Sequence, residues 1–587
     1  ISRAEVEEFI AYKNDPAAFP SYTVPKVIEE WPWRGDFDKG QTNFLAPFFD
    51  VNGDYVYDPG VGDYPYYDFN NSLCPTNPDK QNPDGTWKPL EKTMETEMGN
   101  GNPKVVGGIL VDQVLKGDLT LWWVFNDKGN SHTESKGDPI GLEIRAQAFG
   151  FSTNDEINNM TFYTYEIVNR STYTLTETYF SQWVDTDLGY AFDDYVGCDV
   201  SRGLGYCYNG KSVDGSGQYY AYEGNPPAIG VDFFQGPYMD PDEKDNPKYK
   251  KVLIGGDSIP QQICDVSING VNFGNGIVDD ERFGMRRFVY HNNQSGGPNS
   301  DPEIAIHYYN YLRGIWKDNT RMRYGGNAHY QSPGATSVET DFMFPGDSDP
   351  LHWGTGCGPD PLPGVKWTEE TAGNPPGDRR FMQSAGPFTL KPGAVNYITV
   401  GIPWAQAPTG GPYASVELLR QVDDKCQALF DNCFKVLDGP DAPDLVVKEL
   451  DRELILLISN RKGSNNYNEA YKEIDIRIPE LEVVVSDTLK DTVRFDRYYR
   501  FEGYQIYQLK NANVSIADIN NNDLARLVAQ CDVKNFDSKG NPIGQLINFV
   551  KADNLAGNLV PVEKVNGKNV GITHSFRITE DQFAQGD

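Results

Sequence analysis

The chain has 587 residues, with 84 acidic against 52 basic side chains and a formal net charge of -32. A field of that sign repels phosphate backbones and anionic lipid and concentrates cations, which disfavours nucleic acid as a partner and favours divalent metal. Aromatic residues make up 13 % of the chain, and 58 Gly and 39 Pro argue against both a disordered chain and a helical bundle. We expect a mainly β protein with long loops and several domains.

Residues 1–135 are predicted to be a loop-rich N-terminal region that opens with one short helix. Ser2 and Glu5 have the spacing of a capping box, and the apolar residues after them have helical spacing. From there to about residue 110 the sequence is rich in Pro, Gly, Asp and Tyr. Such a composition indicates loops that are held by metal and have little core of their own.

An oxygen-rich loop lies within this region, Asp50-Val-Asn-Gly-Asp-Tyr-Val-Tyr-Asp58. Oxygen side chains alternate along it as they do in an EF-hand calcium loop. The Gly and the Glu that such loops carry are replaced by Tyr55 and Val61, so another carboxylate must complete the shell. We predict structural Ca²⁺, with a plain Asx-rich turn as the alternative; its ligands would be Asp50, Asn52, Asp54, the carbonyl of Val56, Asp58 and Asp63.

Residues 136–410 are predicted to form a large antiparallel β-sandwich domain with insertions. Apolar and polar residues alternate over 140–149 and over 160–169, which is typical of strands with one buried face. The same alternation recurs near residues 176–184, 288–291 and 394–404.

A second acidic segment follows the strand that is predicted to end near Val184. Carboxylates this dense repel one another unless a cation or protons intervene, which favours a second calcium site. No ligand-spacing template fits the segment, so a solvated acidic loop stays open as the alternative. The five carboxylates are Asp185, Asp187, Asp193, Asp194 and Asp199.

One long helix is predicted over 415–437, within the segment 411–438, with Gly439 as its C-terminal stop. Its stripe consists of Val416, Leu419, Val422, Cys426, Leu429, Cys433 and Val436. Beyond it, strand patterns at 450–459 and 501–509 predict a fibronectin type III or immunoglobulin-like domain over 439–587, with a long insert between the two strands.

The sequence contains no motif that indicates catalysis. It has no HExxH or CxxC, no GxSxG or P-loop that precedes a predicted helix, and no apolar run long enough to span a membrane. The eight cysteines are compatible with disulfides and with free thiols. A glycan-active or glycan-binding protein remains an alternative, because paired carboxylates are frequent and exposed tryptophans stack on sugars; the candidate tryptophans are Trp122, Trp123, Trp183 and Trp404.

Five segments taken together resemble large secreted surface proteins of Bacteroidota: 50–65, 121–127, 182–199, 386–393 and 574–581. Proteins of that kind carry a signal peptide, a long β-rich ectodomain and a C-terminal type IX secretion sorting domain. The resemblance implies a location at the cell surface and both acidic segments as cation sites. Because the sequence shows neither signal nor sorting domain, we expect an internal section of a precursor.

Three functions follow as hypotheses. The first is an exported structural or adhesive surface protein that is stabilised by calcium and is not an enzyme. The second is a secreted protein that binds or degrades glycans. The third is a subunit of a secretion-linked or filamentous assembly that pairs through exposed strands with the secretion machinery or with other surface proteins.

Overall fold

The computed structural model describes residues 1–36, 38, 44–54, 56–69, 114–153, 156–215, 217–254, 257–264, 267–292, 296–434, 439–462, 464–474, 481–486, 489–494, 496, 498–512, 514, 519, 521–536, 547–555 and 558–584. Strands account for 34 % of the residues and helices for 13 %, so the prediction of a mainly β fold is confirmed. The chain divides into two compact units, Ile1–Lys435 and Val436–Asp587.

The described residues contain four α-helices: α1 (Arg3–Asn14), α2 (Lys26–Glu29), α3 (Ala305–Leu312) and α4 (Pro412–Asp431). The capping box at α1 is confirmed. Ser2 Oγ accepts a hydrogen bond from the Glu5 N–H at 3.2 Å, and Glu5 Oε2 accepts one from the Ser2 N–H at 2.8 Å.

The strands of the first unit include the alternating segments that the sequence predicts, which form β4, β5, β6, β14 and β16. In chain order the strands are β1 (Phe48–Phe49), β2 (Tyr64–Pro65), β3 (Leu119–Asn126), β4 (Leu142–Gly150), β5 (Thr161–Asn169), β6 (Leu175–Asp185), β7 (Asp194–Asp199), β8 (Leu204–Asn209), β9 (Val213–Asp214), β10 (Glu223–Gly224), β11 (Ala228–Gln235), β12 (Tyr249–Ile254), β13 (Asp257–Gln262), β14 (Arg287–His291), β15 (Arg380–Leu390), β16 (Val395–Ile402) and β17 (Trp404–Ala405).

Two antiparallel sheets build most of this unit. The larger sheet has the order β3-β4-β5-β16-β11-β8-β7, with β17 also paired to β11, and the smaller sheet has the order β14-β15-β6. Every residue of β7 and β8 is buried, since α4 packs against β8 and β11 while side chains of the smaller sheet approach Gly205 of β8. The two sheets share one hydrophobic core, to which Val231, Phe288, Phe381 and Val400 belong. The sandwich geometry itself stays a prediction.

Helix α4 begins three residues before the predicted start, and its predicted end is wrong. The helix ends at Asp431 because the backbone turns left-handed at Cys433 (φ 53°) and Phe434 (φ 58°). The Phe434 ring then packs against Phe149 and Phe162 on the larger sheet. The predicted stripe is buried at Val416, Leu419, Val422, Cys426 and Leu429; Val436 lies outside the described residues.

The second unit consists of small antiparallel sheets. Its strands are β18 (Asp444–Leu450), β19 (Glu453–Ser459), β20 (Lys472–Ile474), β21 (Leu481–Ser486), β22 (Leu489–Arg494), β23 (Tyr498–Arg500), β24 (Gly503–Leu509), β25 (Ala525–Asp532), β26 (Ile547–Leu555), β27 (Asn558–Asn566) and β28 (Ser575–Ile578). The predicted strand at 450–459 is wrong at its start, because a turn with Arg452 at φ 59° separates Leu450 from β19. The fibronectin-like identity of this unit stays a prediction.

The cysteines include both disulfides and free thiols. Cys264 and Cys357 form a disulfide, and Cys433 is disulfide-bonded. Cys198, Cys207 and Cys531 carry buried free thiols, and Cys426 is buried in the stripe of α4. Among the described helices, none has the length and apolar composition needed to cross a membrane.

Candidate functional site

The predicted calcium loop connects β1 and β2, whose pairing brings the two ends of the loop together. Asp63 is fully buried at its base. The Asp63 carboxylate accepts hydrogen bonds from the N–H groups of Val51 at 2.9 Å and Asp58 at 2.8 Å, and burial raises the pKa of this carboxyl. Asp63, which the sequence predicts as the ligand that completes the metal shell, therefore closes the loop by accepting hydrogen bonds from main-chain N–H groups of the loop.

The other predicted ligands of this loop form Asx turns. Asp50 Oδ1 accepts from the Gly53 N–H at 2.7 Å, Asp54 Oδ1 from the Val56 N–H at 2.8 Å, and Asp58 Oδ1 from the Gly60 N–H at 2.7 Å. Asn52 lies between them and is exposed. Asp54 Oδ2 also accepts from Asn52 Nδ2 at 2.9 Å, so the geometry fits an Asx-rich turn, and calcium there stays a prediction.

The structure distributes the five carboxylates of the second acidic segment over separate places. Asp185 ends β6 and is paired with an arginine, while Asp187 is exposed in the loop that follows. Asp193 and Asp194 are buried where β7 begins, and Asp199 is buried where it ends.

Asp193 and Asp194 lie beside a third buried carboxyl, Asp214, which the sequence analysis did not single out. Asp214 accepts from the N–H groups of Tyr190 at 3.0 Å and Tyr222 at 2.7 Å. Asp193 and Asp194 each keep one buried oxygen without a hydrogen bond to the described residues. Burial raises the pKa of Asp194 to about 9, and the neighbouring carboxyls act in the same direction.

Asp199 belongs to a charged cluster under α4. Its Oδ2 lies 2.9 Å from Nη1 of Arg202 and 2.9 Å from Nε of Arg420. Two further carboxyls are buried nearby, Asp232 on β11 and Asp423 on α4, and burial raises the pKa of both well above the usual range. Within the described part of the chain, no group of three or more His, Cys, Asp or Glu is arranged to hold a metal ion.

An aromatic and charged surface lies on the smaller sheet, and we call it the Trp183 surface. It consists of Trp183 and Asp185 on β6, His291 on β14, Arg380 on β15 and Asp301 in the loop before α3. Trp183 is 41 % exposed, and its ring lies over the buried imidazole of His291 with 4.6 Å between the ring centroids. Arg380 Nε donates to Asp185 Oδ2 at 2.8 Å.

The electrostatics of the Trp183 surface keep its imidazole neutral. Burial lowers the pKa of His291 to about 3, and Arg380 acts in the same direction. His291 Nδ1 lies 3.1 Å from Asp301 Oδ1, and burial raises the pKa of Asp301. The side chains of Asp185 and Asp301 are 42 % and 44 % exposed. The surface therefore offers one aromatic ring and two accessible carboxylates, which accept hydrogen bonds.

An open cavity of about 690 Å³ lies along β6, and we call it the β6 cleft; Trp183 and Asp185 of the Trp183 surface are among its lining residues. Its walls are mostly apolar and come from both sheets: Phe125, Ile144, Tyr163, Tyr165, Phe180, Gln182 and Val184 are among the lining residues. The ring of Phe180 lies 5.5 Å from that of Tyr165, so Phe180 points toward the larger sheet. Clefts of this size and composition are typical of ligand-binding sites.

Sequence reasoning found Trp183 and Asp185 but missed the groups that surround them. His291, Asp301 and Arg380 come from segments more than a hundred residues further along the chain. Each looks like an ordinary polar residue in its own segment, so no local sequence pattern predicts that they lie together.

No family model matches the chain, and no curated protein matches it significantly.

Proposed function

We propose that the protein is an exported, acidic, structural or adhesive protein of the cell surface whose N-terminal loops are stabilised by calcium. The observation that carries the proposal is the loop from Asp50 to Asp63, where the carboxylates of Asp50, Asp54 and Asp58 lie on one turn that Asp63 holds closed. A cation that binds only the folded loop stabilises it.

The Cys264–Cys357 disulfide supports export, because such bonds persist outside the reducing cytoplasm. The type IX secretion route is proposed from the sequence resemblance alone. Intact-mass measurement and terminal sequencing of the protein from its native host test the export step, together with protease treatment of intact cells. A protein that carries an unprocessed precursor sequence and resists external protease would argue against surface location.

The calcium proposal is tested with Asp54→Asn, which keeps the oxygen that accepts from Val56 and removes the charge. In thermal unfolding, calcium at about a hundred times its dissociation constant stabilises the parent protein by about 2.7 kcal/mol, and we expect Asp54→Asn to lose most of this gain. Asp441→Asn is the matched control, because Asp441 caps an exposed turn in the second unit. Equal calcium responses of the parent and Asp54→Asn would place the ion elsewhere, and calorimetry without any calcium binding would remove the proposal.

A second candidate function is glycan binding, which the Trp183 surface favours. A sugar ring stacks its C–H face on an exposed indole, and its hydroxyls donate to carboxylates such as Asp185 and Asp301. We expect a glycan array to detect ligands that Trp183→Ala binds at least tenfold more weakly. Trp123→Ala is the control, since Trp123 is similarly exposed at 37 % but lies on β3. An array without binding would contradict this candidate.

A further inference from the structure

Among the described strands, β6 is an edge strand. It is the last strand of the smaller sheet, where it pairs with β15, and no described strand lies on its other side. The pairing with β15 is regular over Phe180–Asp185 and irregular before it, where Glu177 has φ 51° and its carbonyl accepts a hydrogen bond from Tyr309 Oη at 3.1 Å. The regular part of the edge offers a row of main-chain donors and acceptors to an added strand.

The β6 cleft lies directly beside this edge. Side chains of β3, β4 and β5 line the cleft together with those of β6, and Tyr165 of β5 contacts Phe180 of β6. Phe125 remains 47 % exposed there, and Leu121 on the same face of β3 remains 61 % exposed. Of these two residues only Phe125 lines the cleft, and an occupant that covers Phe125 is stabilised by the apolar area that it removes from water.

We propose that the edge of β6 and the β6 cleft together accept an extended strand donated by another protein. Neighbouring strands lie about 4.8 Å apart, and alternate side chains of a strand point to the same face. A strand added to β6 therefore directs every second side chain into the cleft, where an apolar residue fits the lining. Gln182 is among the lining residues, and its Nε2 is buried without a hydrogen-bond partner among the described residues.

Charge complementarity indicates which kind of protein donates the added strand. Glu177 lies near one end of the edge and Asp187 follows the other end, and both are exposed, while Asp185 is paired with Arg380. A second copy of this chain carries a net charge of -32 and is repelled over long range. The donor is instead a strand with apolar residues at alternate positions and basic residues at its ends. This inference does not depend on calcium or glycan binding, and it gives the assembly hypothesis a specific surface.

The probe is a fluorescent nine-residue peptide of alternating valine and threonine with a lysine at each end. Two comparison peptides have the same residues in an order without alternation, or glutamate in place of both lysines. Fluorescence anisotropy with the full chain measures their affinities. We expect one alternating lysine-ended peptide to bind per chain, at least tenfold more tightly than either comparison peptide, and hydrogen exchange of the β6 amides to slow.

Phe125→Glu and Leu121→Glu form a matched pair of variants. Both residues are exposed on the same face of β3, but only Phe125 lines the cleft. We expect Phe125→Glu to weaken binding of the alternating peptide at least tenfold and Leu121→Glu to change it less than twofold. Thermal unfolding of both variants verifies that they remain folded.

Three results would overturn the inference. The first is no binding of the alternating lysine-ended peptide, and the second is equal binding of all three peptides. The third is an equal loss in both folded variants. A medium-chain fatty acid that binds the parent protein while the peptide does not would assign the cleft to small apolar ligands instead.

Discussion

At the scale of single residues, Asp194 is a carboxyl group whose burial makes stability depend on pH. Burial raises its pKa to about 9, so Asp194 of the folded protein keeps a proton that the unfolded chain releases at about pH 4. Because the folded state binds more protons in this window, the free energy of unfolding falls as the pH rises from about 4 to about 9, by at most about 1.4 kcal/mol per pH unit.

Asp194→Asn imitates the neutral carboxyl and retains an acceptor for the Leu188 N–H, so we expect the variant to lose this decline. Urea unfolding at about pH 5 and about pH 9, with a chelator present, measures the change in the free energy of unfolding with pH for the parent and for each variant. Asp187→Asn, at the exposed neighbouring carboxylate, should keep the slope of the parent protein. A slope that Asp194→Asn leaves unchanged would show that other groups cause it.

Glu369 and Arg379 form the most deeply buried ion pair that the described residues contain, with side chains 0 % and 7 % exposed. Arg379 Nε donates to both Glu369 oxygens at 3.0 and 3.1 Å, and the Val196 N–H donates to Glu369 Oε1 at 2.8 Å. Arg379→Met leaves the carboxylate buried without its cation, and we expect a loss of about 3–5 kcal/mol in denaturant unfolding.

The double variant Glu369→Gln, Arg379→Met separates the pair from its packing, and we expect it to lose less than the sum of the two single losses. Breaking the exposed pair of Lys26 and Glu30 with Lys26→Met serves as the control, with a change within about 1 kcal/mol. Equal losses of stability at both sites would mean that burial of the Glu369 pair does not affect the free energy of unfolding.

At the scale of elements, α4 joins the larger sheet through its apolar stripe. Leu419 is fully buried in that interface, whereas Glu417 is exposed on the opposite side. Leu419→Ala removes apolar contacts and leaves a cavity, so we expect a loss of about 2–5 kcal/mol, against less than about 0.5 kcal/mol for Glu417→Ala. Denaturant unfolding compares the two. Similar losses would contradict docking of the helix through this stripe.

Some elements could be predicted from the sequence and others could not. Alternation over 160–169 and the helical stripe of α4 are local patterns of burial, and both lead to the right element. The end of α4 at Asp431 depends on left-handed residues and on aromatic rings of the larger sheet, so the glycine signal at 439 misplaces it. The Trp183 surface needs β14 and β15 beside β6, and this pairing of distant segments has no local signature.

At the scale of the whole molecule, the Cys264–Cys357 disulfide closes a loop with a sequence separation of 93 residues. The loop contains β14 and α3, and therefore His291 and Asp301 of the Trp183 surface. Cross-linking so long a loop restricts the unfolded chain, which contributes about 4–5 kcal/mol in the chain-entropy account.

We expect the double variant Cys264→Ser, Cys357→Ser to lose stability on this scale and to unfold at a clearly lower temperature under non-reducing conditions. Cys531→Ala removes a buried free thiol from the second unit and should leave unfolding of the first unit unchanged. If the double variant keeps the stability of the parent, the bond does not restrain the unfolded chain. If the double variant loses both stability and the glycan affinity that we propose for Trp183, the Trp183 surface depends on this disulfide. Because such a bond forms outside the reducing cytoplasm, that result would connect the proposed location of the protein to its proposed binding site.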